Sequence, residues 1–245
     1  MQFVQDVSAS MTGEKMEASK NGLKKICQKL AQGDEVGLIQ FCSSVDTVSY
    51  IDNLEVSKIG IGIRINENTN LIQLQLTGLT ALYDAIVAGL VSLEERAEDS
   101  DKKEYQNILF VATDGEENAS TTTIAEVTEL IKDLPNNLEI PNLRIMLAIA
   151  GSMELNNDLV KVCQSAECEN YCEVIHVADS SEGIKLAFER VEENVQLLKS
   201  SQHLLADKVV KFDMHFGRTE VSAEVFVRES GVRKSVKTTW HGRCD

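Results

Sequence analysis

The chain of 245 residues reads as an α/β fold: a mainly parallel sheet with helices on both faces, followed by a short antiparallel β tail. Three observations predict it. Short, nearly continuous apolar runs recur and suit strands buried on both faces. Stretches with apolar residues at helical spacing lie between them. Beyond about residue 206 the pattern changes to strict two-residue alternation. Strands that alternate with helices imply βαβ units and hence a parallel sheet.

In chain order, a short first strand begins almost at Met1, and its apolar run from Phe3 delivers Asp6 at its carboxyl end and opens into a loop. Lys15 to Leu30 carries Met16, Ser19, Leu23, Ile26, Cys27 and Leu30 at helical spacing, and Gly33-Asp34 ends that helix. Glu35 to Phe41 is a buried strand and Val45 to Tyr50 a second one. Ser57 to Leu76 reads as part strand, from the alternating isoleucines at 59, 61, 63 and 65, and part loop. Leu82 to Leu90 is an amphipathic helix entered through a turn at 77–81. Asn107 to Ala112 is a strongly apolar strand. Thr122 to Leu134 is a helix, with Thr122 or Thr123 as N-cap. Arg144 to Ala150 is a strand, Asn156 to Ala166 a helix, Tyr171 to Val177 a strand and Ser180 to about Leu205 a long helix. The tail has two or three antiparallel strands, around Val210–Phe216, Val221–Val227 and Val232–Trp240, with a hairpin turn at Glu229-Ser230-Gly231. So few strands do not fold alone and need a further sheet edge or another chain.

Charge supports a division. Residues 1–195 hold 15 Lys and Arg against 33 Asp and Glu, while residues 196–245 hold 9 against 6. The expected organisation is an α/β domain over 1–205 and a β-hairpin or meander appendage over 206–245. The net charge of −15 argues against sequence-independent nucleic-acid binding and against anionic lipid. No run approaches the roughly 18 apolar residues of a membrane span. The first residues have neither a basic nor an apolar leader region, and six cysteines form no regular framework. A cytoplasmic protein with reduced thiols is therefore expected; a piece of a longer secreted protein is the alternative.

Three strand ends carry hard oxygen donors. Asp6-Val7-Ser8-Ala9-Ser10 supplies one carboxylate and two hydroxyls. Thr80 stands in Gly78-Leu79-Thr80-Ala81-Leu82-Tyr83-Asp84-Ala85, and Asp114 in Thr113-Asp114-Gly115. D-x-S-x-S alone is short enough to be a capped loop. The three together, on what should be one edge of one sheet, suit a small hard cation.

These motifs, in this order, resemble those of a von Willebrand factor type A domain with a metal-ion-dependent adhesion site. The resemblance covers roughly residues 1–195 and implies a doubly wound, Rossmann-like sheet. It also implies Mg²⁺ (or Mn²⁺) coordinated through the hydroxyls of Ser8, Ser10 and Thr80. Asp6 and Asp114 contribute charge, often through bridging waters. The implied function is binding, in which a protein partner presenting an Asp or Glu replaces one water. A place in a multi-subunit complex follows as an expectation. Leu79 departs from the family's pattern, which has a second glycine there.

The runner-up is a Mg²⁺-dependent hydrolase with Glu116 or Glu117 as general base. A phosphoryl-transfer enzyme of the haloacid-dehalogenase type needs a second aspartate where Ser8 stands. No Walker A or G-x-S-x-G pattern is present. Cys163, Cys168, Cys172 and His176 have spacings that match no common structural zinc pattern, so buried thiols are expected. Asn118-Ala119-Ser120 matches a glycosylation sequon but is read as loop chemistry beside Asp114.

Overall fold

A computed structural model describes residues 1–31, 33–53, 79–98, 105–115, 117–137, 140, 142–152, 157–205, 210–216, 220–227 and 233–239. The candidate strand within 57–76, Glu116, and the hairpin turn at 229–231 lie outside these residues. The chain packs as two units, Met1–Asn194 and Val195–Asp245.

The first unit contains a six-stranded sheet of order β3-β2-β1-β4-β5-β6. Its strands are β1 (Gln2–Asp6), β2 (Glu35–Phe41), β3 (Val45–Asn53), β4 (Asn107–Thr113), β5 (Leu143–Ala150) and β6 (Cys172–Val177). Four of the neighbouring pairs are parallel, and only β3 runs antiparallel, against β2 at one edge. The helices are α1 (Glu14–Lys29), α2 (Leu82–Ala97), α3 (Ile124–Asn137), α4 (Asn157–Cys163) and α5 (Ser181–Leu205), the last continuing into the second unit.

β1 is buried along its whole length, and its alternating side chains face different helices. Phe3 meets Phe110 edge-on at 6.1 Å, and Phe110 meets Phe188 of α5 at 5.0 Å. On that side α1 comes so close that a Cβ on Gly22 would overlap the Phe188 ring. Val4 points the other way, into a core of Leu82, Leu90, Leu109, Val111, Val127, Ile131 and Leu159 from the remaining helices and strands. Gly89 lets α2 down onto Leu109 and Val4. Helices therefore cover both faces, and the doubly wound reading holds.

Several elements differ in length from their expected bounds. α2 runs to Ala97, past the apolar stretch that ends at Leu90, because Leu93 and Ala97 keep the buried stripe going between charged residues. α4 stops at Cys163, where the Ser165 N–H bonds the Val162 carbonyl and tightens the chain into turns. α3 starts from Thr123: its hydroxyl caps the Glu126 N–H while the Glu126 carboxylate takes the Thr123 N–H, a capping box. Thr122 instead donates its N–H to Asp84.

β1 and β4 are parallel neighbours, with Gln5 opposite Ala112. From β1 the chain proceeds to β2 on one side, and from β4 it proceeds to β5 and β6 on the other. That reversal opens a crevice beyond the carboxyl ends of the two strands, where ligands of such sheets collect. Asp6 ends β1 and Asp114 directly follows β4.

The second unit holds an antiparallel meander of β7 (Val210–Phe216), β8 (Glu220–Val227) and β9 (Arg233–Thr239). Val210 pairs with Val227 and Glu220 with Thr239 at the ends of the two ladders.

Candidate metal centre

The loop after β1 is held at both ends. Val7 continues the parallel ladder by donating its N–H to the Phe41 carbonyl. Met11, fully buried, then anchors a single 3-10 turn over Ala9–Met11. Gly13 starts α1 from a left-handed φ of 76°, which a side chain resists. Between these anchors Asp6 Oδ1 accepts the Ser8 N–H at 2.7 Å, and Ser8 and Ser10 place their hydroxyls 3.0 Å apart.

The other two loops converge on the same point. Ser10 Oγ donates to Asp114 Oδ1 at 2.7 Å, and Thr113 Oγ1 donates to Asp6 Oδ2 at 2.6 Å. Thr80 is buried, and Gly115 ties it to the group. A Cβ on Gly115 would stand 2.8 Å from Thr80 Oγ1 and 3.5 Å from Asp6 Oδ2. All five residues singled out in the sequence, Asp6, Ser8, Ser10, Thr80 and Asp114, thus line one crevice. Asp6, Ser8 and Thr80 are buried, whereas Ser10 is exposed and marks the open side.

Leu79 does not disturb Thr80, because a separate brace fixes that loop. The Thr80 N–H donates to Asn118 Oδ1 at 2.7 Å, and the Asn118 and Ala119 N–H groups return to the Thr80 carbonyl. In the Asn118-Ala119-Ser120 stretch the Asn118 amide oxygen thus holds the Thr80 backbone. α2 has no local side-chain cap; its free N–H groups at Tyr83 and Asp84 bond Glu117 Oε2 and Ser120 Oγ. Glu117 Oε1 meanwhile accepts the Ala119 and Ser120 N–H groups. Asp84 answers from the helix, accepting the Thr121 and Thr122 N–H groups at 2.9 and 2.8 Å.

The electrostatics suit a cation. Burial pushes the Asp6 carboxyl above the usual carboxylate range, and the nearby Asp114 charge adds to this, against hydrogen bonds from Ser8 and Thr113. Asp114, its side chain fully buried, forms a 2.6 Å ion pair with Lys15 in the first turn of α1. Lys15 also pairs with Asp179, between β6 and α5. The donor set, three hydroxyls and two carboxylates, is hard oxygen throughout and fits Mg²⁺ or Mn²⁺ better than a soft metal. Among the described residues no group of three or more His, Cys, Asp or Glu could hold a metal, and the two carboxylates here stand with three hydroxyls.

The sequence reading missed Thr113, Lys15 and Asp179. Lys15 had a signal: a lysine in the first turn of a helix opposes the macrodipole, which hints at a stronger partner elsewhere. Asp179 is a loop residue with no local pattern.

Among the described residues, Cys163, Cys168, Cys172 and His176 do not gather into one group of metal-ligating side chains. Cys163, Cys168 and Cys172 are buried in the core, and Tyr171 donates its hydroxyl to the Ile131 carbonyl at 2.7 Å with Cys168 Sγ 3.3 Å away. His176 turns instead to the Gly151 carbonyl, at the far end of β6.

The sequence model of the von Willebrand factor type A domain matches residues 1–190. The chain belongs to this family. Domains of the family mediate protein–protein interaction and adhesion. This von Willebrand factor type A domain is 30% identical over 133 residues to inter-alpha-trypsin inhibitor heavy chain H3 of Bos taurus, and 27% identical over 144 residues to heavy chain H1 of the same species. The matches cover 54% and 56% of this chain, and 14% of each relative's length. Among solved structures, the PilB minor pilin from Streptococcus sanguinis aligns with a TM-score of 0.56 at 15% identity, over 80% of this chain and 60% of that one. A von Willebrand factor type A protein from Catenulispora acidiphila aligns with a TM-score of 0.56 at 14% identity, over 89% and 46% of the two chains. At these identities the two structures speak for the fold.

Proposed function

We propose that this von Willebrand factor type A domain is a metal-dependent protein-binding module. Ser8, Ser10 and Thr80 would hold Mg²⁺ or Mn²⁺ through their hydroxyls, with Asp6 and Asp114 balancing its charge. When bound, a cation whose direct ligands are neutral hydroxyls supplies an electrophilic position that attracts an outside carboxylate. The partner on this reading is a protein presenting an Asp or Glu side chain at the Ser10 side. Leu79, 45% exposed on the loop before Thr80, offers an apolar contact on the rim.

The observation that carries the proposal is the hydrogen-bonded run Asp6–Ser8–Ser10–Asp114, which joins two strand ends across the crevice of the sheet. Glu117 supports binding over hydrolysis. Both its oxygens accept hydrogen bonds, four in all, that brace the Thr80 loop and α2, so it is committed to holding the site together. Glu116 is outside the described residues. The name heavy chain, borne by the relatives, fits a subunit of a larger assembly, and a multi-chain complex is the proposed setting.

The test is partner capture from a lysate of the source cell by the whole chain, in Mg²⁺, in EDTA, and with an Asp6→Ala variant. Proteins retained in Mg²⁺ and lost in both other arms support the reading. Equal capture in all three arms refutes it.

A further inference from the structure

Lys15 has no part in the reading above, yet it touches the site directly. Its ammonium lies 2.6 Å from Asp114 Oδ2 and also pairs with Asp179 Oδ1. The two partners differ in kind. The Asp114 side chain is fully buried inside the site, the Asp179 side chain is 55% exposed, and Lys15 at 19% stands between them. A second link keeps Asp179 within reach, since Ser181 of α5 donates its hydroxyl to Glu14 of α1 at 3.3 Å. The helix does not explain the lysine, whose charge opposes the dipole at that end.

We propose that Lys15 is a built-in cation that occupies Asp114 when no divalent ion is bound and retires to Asp179 when one binds. This rests on the metal-binding reading. With Ser10 on Oδ1 and Lys15 on Oδ2, each Asp114 oxygen already has a donor, and the lysine is the one that carries charge. Without a divalent ion, Asp114 and Asp179 share one ammonium. With it, two positive charges answer Asp6 and Asp114 while Lys15 answers Asp179, so each carboxylate is matched. Asp179 thereby lowers the cost of releasing Lys15, and the pair sets how tightly the site takes its ion.

A plain electrostatic field would also make Lys15 weaken and Asp179 strengthen cation binding. The two ideas separate in a double-mutant cycle, because Asp179 in this proposal acts only through Lys15. Mn²⁺ binding to the full chain is followed by electron paramagnetic resonance of the free ion, for wild type, Lys15→Met, Asp179→Asn and the double variant. Thermal unfolding in EDTA checks that each is folded, and Lys15→Gln replaces Lys15→Met if the latter is not. Lys15→Met is expected to tighten Mn²⁺ about tenfold and Asp179→Asn to weaken it about fivefold, within the usual range of site coupling. In the Lys15→Met background, Asp179→Asn should change affinity by less than about twofold. An equal effect of Asp179→Asn in both backgrounds, or weaker binding or unchanged affinity in Lys15→Met, overturns the latch while leaving the metal site standing. Absence of Mn²⁺ binding in every variant overturns the metal site itself and the latch with it.

Discussion

Ser10 and Asp114 are 104 positions apart in the chain, and the Ser10 hydroxyl donates to Asp114 Oδ1 at 2.7 Å. This bond closes the crevice between the ends of β1 and β4 and joins the two acidic residues of the site through Ser8. It also puts a would-be ligand in contact with the charge behind it.

Removing that hydroxyl should therefore harm ion binding more than folding. Ser10→Ala is expected to lower Mg²⁺ affinity about 10- to 100-fold, the usual effect of losing a group that ligates or orients a ligand. Because Ser10 is exposed, its unfolding temperature in EDTA should stay close to wild type. Isothermal titration and thermal unfolding measure the two effects.

Gly115 tests the packing of Thr80. An added Cβ would stand 2.8 Å from Thr80 Oγ1, too close for either group to stay in place. Gly115→Ala is expected to weaken Mg²⁺ binding at least about tenfold by displacing a ligand, a shift of about 1.4 kcal/mol. Unchanged affinity would mean that Thr80 does not ligate.

Thr113→Val removes the hydroxyl that donates to the buried Asp6 Oδ2 while keeping the side chain's shape. The carboxylate is left with its hydrogen bonds from Ser8. A loss of about 1–3 kcal/mol in EDTA is expected by urea unfolding, since a buried acceptor loses its donor. Mg²⁺ should recover part of that loss by mass action.

Asp84 sets an acid dependence. Burial raises its carboxyl, but hydrogen bonds from Thr122 and Thr121 outweigh it and hold it below the usual carboxylate range. A carboxyl lowered by folding contributes stability above its unfolded pKa of about 4 and loses it as pH falls through the folded value. Asp84→Asn should thus cost under about 1 kcal/mol at pH 7, after screening at this partly exposed position. The difference from wild type should shrink in urea unfolding below about pH 4.

Gly22 lies far from the ion site and tests the helix packing behind it. A Cβ there would run into the Phe188 ring, so Gly22→Ala is expected to destabilise the domain by about 1–3 kcal/mol, as overpacking does. Thermal unfolding measures it, and Mg²⁺ affinity should hold if the sheet edge is undisturbed.

What was legible in the sequence is what has a short-range signature. The apolar runs at 107–112 and 144–150 announce buried strands because both their faces are covered. Asp6, Ser8, Ser10 and Asp114 stand out because strand ends in such sheets face a common crevice, and Thr80 because it stands in the turn that enters α2. The braces were not legible. Glu117 bonding the start of α2, Thr113 bonding Asp6 and Lys15 bridging Asp114 to Asp179 are contacts between residues far apart in the chain, and only Lys15, set against its helix dipole, carries a local sign of one. α2 was read too short for a related reason. Glu94, Glu95 and Arg96 mask a buried stripe that Leu93 and Ala97 continue.

The central claim is that oxygen donors from three loops bind one hard divalent cation. Mn²⁺ titration of the whole chain, with the free ion followed by electron paramagnetic resonance, tests it most directly. The account predicts saturable binding of about one ion per chain that Mg²⁺ displaces and that Asp6→Ala abolishes, in keeping with hard, oxygen-rich coordination. Binding that persists unchanged in Asp6→Ala, or no binding by the wild-type chain, would contradict it.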